Sequence, residues 1–110
     1  MLKAVGSEHP DVATTWNNLG AAWADKDDYD KAISYYEKAL ESDLKTFGPE
    51  HPDEAGDWNN LGTAWKSKGE NDKALNYYDK ALRVFEKAGL LHKVKLLKDN
   101  ITELEKARGE

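Results

Sequence analysis

The residues best placed to do chemistry in this chain are three histidines, 21 aspartates and glutamates, and two asparagine pairs. His9 and His51 each precede a proline, Pro10 and Pro52, and His92 stands apart. A zinc site takes about four nitrogen, sulfur or oxygen ligands, usually with two at short spacing. The chain has no cysteine, and neither His9 nor His51 has a second histidine at ligand spacing. Capping of a loop or helix entrance is the expected role, with no metal. The run Asp25-Lys26-Asp27-Asp28 has the charge of a calcium loop but lacks the alternating ligand register and the closing glutamate. Ser7, Ser34, Ser42 and Ser67 have no histidine base at a suggestive position, and the glycines form no phosphate or dinucleotide loop. Neither an enzyme nor a cofactor is expected. The asparagines are different: Asn17-Asn18 returns as Asn59-Asn60. A carboxamide offers a donor and an acceptor together, which is what bracketing a peptide unit of an extended ligand requires.

The elements that must position these side chains follow from an internal repeat. His9–Trp23 (HPDVATTWNNLGAAW) returns at His51–Trp65 (HPDEAGDWNNLGTAW), a shift of 42 residues. Over residues 7–48 against 49–90, 22 of 42 positions are identical. Leu2-Lys3-Ala4-Val5-Gly6 aligns with Leu44–Gly48, and Asn60–Glu70 matches Asn100–Glu110 faintly at a shift of 40. The expected organisation is a helix-end remnant (1–6), one repeat (7–48), a second (49–89), and a degenerate first helix of a third acting as a cap (90–110). A piece of a longer array would have this form.

Each repeat reads as two helices. The first starts at Pro10 or Pro52, a residue favoured in the first turn, with acidic Asp11 or Asp53 suiting the helix dipole. The second stops near Gly48 or Gly89. No segment alternates with period two, so no strand is expected. At 100° per residue, Ala13, Trp16, Leu19, Gly20 and Trp23 share one arc and are expected to be buried. The second helix buries Ala32, Ile33, Tyr36, Ala39, Leu40 and Phe47 in the same way. Mid-helix Gly20 and Gly62 each cost about 1 kcal/mol against alanine, which close helix approach would offset. Val94, Leu97, Ile101 and Leu104 form a single stripe among lysines and glutamates, as a solvating cap requires.

Trp16, Leu19, Gly20 and Trp23, followed by Ala32, Tyr36 and Ala39, have the spacing of the tetratricopeptide repeat, and Trp58 through Ala81 repeats all seven positions. The chain resembles that family over about residues 7–90, in a 42-residue variant of a unit more commonly about 34 residues long. The longer unit is similar to that of kinesin light chains and of long prokaryotic arrays, and the near-identical copies look more like the prokaryotic kind. The resemblance implies an all-α fold: a right-handed α-α solenoid of helix-turn-helix repeats, closed by a C-terminal capping helix. It also implies a concave surface, lined by first helices, that binds peptide segments of other proteins. An asparagine at the place of Asn18 and Asn60 commonly holds the ligand backbone in such proteins.

Independently of the resemblance, the stripe opposite the buried arc is small and mostly uncharged. It comprises Thr14, Asn18, Ala21 and Asp25, then Gly56, Asn60, Thr63 and Ser67, in a chain that is 34% charged. Asn17 and Asn59 lie nearer the buried edge and could instead bond a neighbouring helix. Lys66 borders the same groove and Lys106 aligns with it, a pair that would favour an acidic ligand. A rival expectation is self-association through the open end of the first helix, near Val12, Trp16 and Trp23, giving a homo-oligomer.

Composition bounds the rest. With 110 residues, 39% of them hydrophobic, the chain can fill one thin core. A net charge of −5 argues against nucleic-acid binding, which needs a concentrated basic surface. No apolar run approaches the ~18 residues of a membrane span, and Met1–Gly6 lacks the apolar core of a secretory leader. The absence of cysteine fits a reducing compartment, so a cytoplasmic location is expected.

Overall fold

The structure, a computed structural model, describes residues 10–107 and 109. The aligned remnant at Leu2–Val5 and His9 lie outside the described residues. Five helices follow one another, with no strand among the described residues: α1 (Pro10–Asp25), α2 (Tyr29–Phe47), α3 (Pro52–Ser67), α4 (Asn71–Ala88) and α5 (Leu91–Ala107). Each packs mainly on its neighbours in the chain, α1 on α2, α2 on α3, α3 on α4 and α4 on α5. The result is an all-α helical-repeat solenoid, a slab 51 × 33 × 18 Å. Each helix contacts chiefly its chain neighbours, which is why the core is thin.

Local chemistry fixes the helix ends. The Asp28 side chain accepts the Lys31 N–H at 3.2 Å and opens α2. His51 opens α3: its Nδ1 accepts the Asp53 N–H at 3.0 Å, and its ring stacks on Phe47 with centroids 4.0 Å apart. The turn between the two helices of a repeat needs a left-handed residue. The first copy uses Asp27 (φ 63°) and the second uses Gly69 (φ 87°), 42 positions on. Asparagine and aspartate tolerate that region better than most residues, and the Asp27 carboxylate accepts a hydrogen bond from the Tyr29 hydroxyl at 2.9 Å.

Within each repeat the close approach falls at glycine. A Cβ on Gly20 would lie 2.6 Å from the Tyr36 ring, and one on Gly62 would lie 2.7 Å from the Tyr78 ring. Ala32, Ala39, Ala74 and Ala81 are fully buried beside them. The four tryptophans are half-buried, not enclosed. Lysines of the partner helix lie over their outer faces, Lys31 at 4.1 Å over Trp23 and Lys73 at 4.3 Å over Trp65, again one repeat apart.

Leu19 departs from the expected buried arc. It is 38% exposed, whereas its counterpart Leu61 is 0% exposed. Leu61 and Ala64 of α3 press on Ala32, Ile33 and Tyr36 of α2. No described helix lies on the corresponding side of α1, so Thr15, Leu19 and Ala22 face outward.

The stripe that α3 turns toward α2 is Glu54, Asp57, Leu61 and Ala64, all buried. Forty residues on, α5 turns Val94, Leu97, Ile101 and Leu104 toward α4. The register drops from 42 to 40 around a shorter turn, residues 48–51 before α3 but only 89–90 before α5. Across the first junction stands Asp43 of α2, and 42 residues on stands Phe85 of α4. One junction therefore holds three carboxyls, Asp43, Glu54 and Asp57, where the next holds Phe85, Val94 and Leu97.

Candidate functional site

The first helices α1 and α3 together with α5 form a groove of about 570 Å³. Ala13, Thr14 and Asn17 come from α1, Asp43 from α2, and Asp53, Gly56, Asp57, Asn59 and Asn60 from α3. Phe85, Lys93 and Leu97 close the far end. The helical spacing of α1 and α3 brings Asn17, Asn59 and Asn60 to one surface, as side chains of adjacent first helices must be if they are to share a ligand.

These asparagines are held by the junction beneath them. Asn17 Nδ2 donates to Asp57 Oδ1 at 2.8 Å, tying α1 to α3. Asn60 Nδ2 makes a long 3.4 Å contact with Asn17 Oδ1. Asn59 Oδ1 is buried without a donor. Asp57 itself is 1% exposed, and its Oδ2 also lacks a donor. Burial, together with the Asp43 carboxyl beside it, pushes Asp57 up to about 9, against the opposing pull of the Asn17 amide. Glu54 is fully buried, and burial raises it against the opposing pull of the Glu50 and His51 backbone N–H groups.

The other expected site residues fall elsewhere. Asn18 and Ala21 are exposed on α1 and do not line the groove. The Thr63 hydroxyl lies 2.9 Å from the Tyr78 hydroxyl and borders a second depression of about 100 Å³ that Asn60 also reaches. Lys66 Nζ bonds Glu103 of α5 at 3.1 Å, so its charge is spent joining α3 to α5. At the open end of α1, Val12, Trp16 and Trp23 are half-buried. Trp16 stacks on Tyr35 of its own repeat at 5.8 Å. The large apolar residue that α1 exposes is Leu19.

Asp43, Glu54 and Asp57 were not singled out from the sequence. The signal was present: shifting the α5 stripe Val94, Leu97, Ile101 and Leu104 back by 40 lands on Glu54, Asp57, Leu61 and Ala64. Among the described residues no group of three or more histidine, cysteine, aspartate or glutamate side chains is arranged to hold a metal ion. Among them, too, no helix is long and apolar enough to cross a membrane.

The sequence pattern of the tetratricopeptide repeat matches residues 11–87, most of the chain. The protein belongs to the tetratricopeptide repeat family, whose members in general mediate protein–protein interaction and are not catalytic. Among solved structures, the chain is similar to that of BtubC (BKLC) from P. vanneervenii, with a TM-score of 0.67 and 24% sequence identity. That match covers 94% of this chain and 50% of the other, so this chain spans about half the length of that protein, and the likeness is one of fold. No curated protein matches the sequence.

Proposed function

We propose that this domain binds a short extended peptide segment of another protein in the groove between α1, α3 and α5. The observation that carries this reading is the convergence of Asn17, Asn59 and Asn60 on one groove, with Thr14 beside them. Their amides can take up the backbone N–H and C=O groups of a strand-like ligand without requiring a particular ligand sequence. Asn18, Ala21, Thr63 and Lys66 flank this path, and a ligand reaching them would run along the outer face of α1 and α3. Selection from a random peptide library tests the reading. Capture by the wild-type chain and loss with Asn17→Ala/Asn60→Ala is the expected result. Equal capture by that double variant removes the groove, and loss on Asn18→Ala alone moves the ligand to the outer face.

A second reading, self-association, is favoured by one observation, the exposure of Leu19 on a stripe that α3 buries in its own copy. Light scattering over a range of concentrations decides it. A mass independent of concentration and equal to one chain ends this reading.

A further inference from the structure

Two residues on the groove are not what the fold itself asks for. Gly56 lies inside α3, where glycine is less favourable than alanine, and a Cβ there would meet nothing within 4 Å. At Gly62 of the same helix the Tyr78 ring takes the place of a side chain; no such neighbour stands at Gly56. Leu96 of α5 is 52% exposed and lines the same groove. A single exposed leucine is ordinary, and Leu91 is more exposed still. What sets Leu96 apart is its register. Shifted back by 40 it lands on Gly56, and a further 42 reaches Thr14. All three positions line the groove, so at one level it passes from a hydroxyl to an open space to an apolar wall.

The levels on either side are polar. One helical turn further along, Asn60 of α3 and Asn100 of α5 line the groove, and residues four apart share a helix face. Three residues back on the same helices stand Asp53 and Lys93, one charge of each sign, which favour neither a cationic nor an anionic residue between them. We propose that the space over Gly56, walled by Leu96, receives a bulky apolar side chain of the docked peptide, while Asn60 and Asn100 hold the backbone beside it. This rests on the peptide-binding reading and names what the ligand must carry. The occupant is a residue of about leucine size in an extended segment. A helix would already have bonded within itself the backbone groups that the two amides serve.

The test uses N-acetyl-leucine methylamide and its polar near-isostere N-acetyl-asparagine methylamide as probes, followed by amide NMR shifts. The leucine probe is expected to bind at about millimolar strength and to shift the Gly56, Leu96, Asn60 and Asn100 amides. The asparagine probe should bind about tenfold more weakly or worse. Gly56→Thr gives α3 the residue that the first copy carries at Thr14, and Leu96→Ser removes the wall at an exposed position. Both should keep the helical signal and weaken the leucine probe about tenfold or more. Gly56→Ala should give a more stable chain that binds the probe less well, a split that a purely structural role would not produce. Equal binding of the two probes, no shift at Gly56 and Leu96, or unchanged binding by Gly56→Thr or by Leu96→Ser overturns the proposal. The peptide library separates the two readings. Groove-bound peptides that share an apolar position and are lost with Gly56→Thr support both. Groove-bound peptides with no apolar position in common sink the anchor pocket alone, and capture indifferent to Asn17 and Asn60 sinks both.

Discussion

Asp43 of α2 and Phe85 of α4 stand at the same place in consecutive repeats, and each looks onto the junction with the next helix, α3 or α5. Phe85 meets Val94 and Leu97; Asp43 meets Glu54 and Asp57. The two junctions can therefore be compared as one site filled in two ways. Buried carboxyls that lack full pairing are often replaced by well-packed apolar side chains at a gain of about 1–4 kcal/mol. Copying the second junction into the first, as Asp43→Phe/Glu54→Val/Asp57→Leu, is expected to raise stability by that amount. A higher urea midpoint at unchanged slope is the result to look for, and a lower midpoint would mean that the acidic cluster stabilises the fold.

The same cluster sets a pH dependence. Asp57 is raised from an ordinary 3.8 to about 9, so the folded chain holds a proton there that the unfolded chain releases. Its contribution to stability is full below about pH 4 and is lost as pH rises toward about 9. Glu54, also raised by burial, acts in the same direction. Urea unfolding at about pH 5 and about pH 8.5 should show the wild type weaker at the higher value. Asp57→Asn should flatten that difference, and an unchanged slope with pH in this variant would assign the effect to other groups.

Two glycines of α3 are expected to respond oppositely to the same substitution. At Gly62 an added Cβ meets the Tyr78 ring at 2.7 Å and the Ala74 carbonyl at 3.2 Å; at Gly56 it meets nothing within 4 Å. Gly56→Ala should gain about 1 kcal/mol from helix propensity. Gly62→Ala should lose about 1–2 kcal/mol, because overpacking at the tyrosine exceeds that gain. Thermal melts of the two variants side by side check the contrast.

Leu19 and Leu61 make a second matched pair. Truncating the enclosed Leu61 to alanine should cost about 2–5 kcal/mol. Leu19→Ala, on the open side of α1, should cost well under 1 kcal/mol in a monomer. A large cost at Leu19 that grows with protein concentration would show that another molecule covers it.

The fold was legible in the sequence because its determinants are local and doubled. Tryptophan, glycine and alanine spacing recurs at 42 residues, and periodicity of 3.6 assigns both helices of each copy. Close approach at Gly20 and Gly62 was legible as well, although the approaching group is a tyrosine ring, with the buried alanines only making room. The site was less legible, for two physical reasons. Exposure depends on neighbours, so Leu19 and Leu61, identical in sequence, differ in burial because, among the described residues, only Leu61 has a further helix beside it. Charge is also a poor guide at junctions: Glu54 and Asp57 are acidic residues of a first helix, and only the packing of α3 on α2 encloses them. Lys66 shows the reverse, a cation at the groove edge whose partner, Glu103, lies 37 residues away.

In a stack where each unit touches only its neighbours, cooperativity is carried by the junctions. A junction that sets carboxyls beside the Leu61 and Ala64 contact, followed by an apolar one, gives this molecule unequal nearest-neighbour couplings. Amide hydrogens of α3, α4 and α5 should then exchange together and slowly, while α1 and α2 open as a separate, less protected unit. Anything that satisfies the first junction, a proton included, would tighten the coupling and merge the two units. Occupancy of the groove would be felt as a change in how far folding propagates along the array.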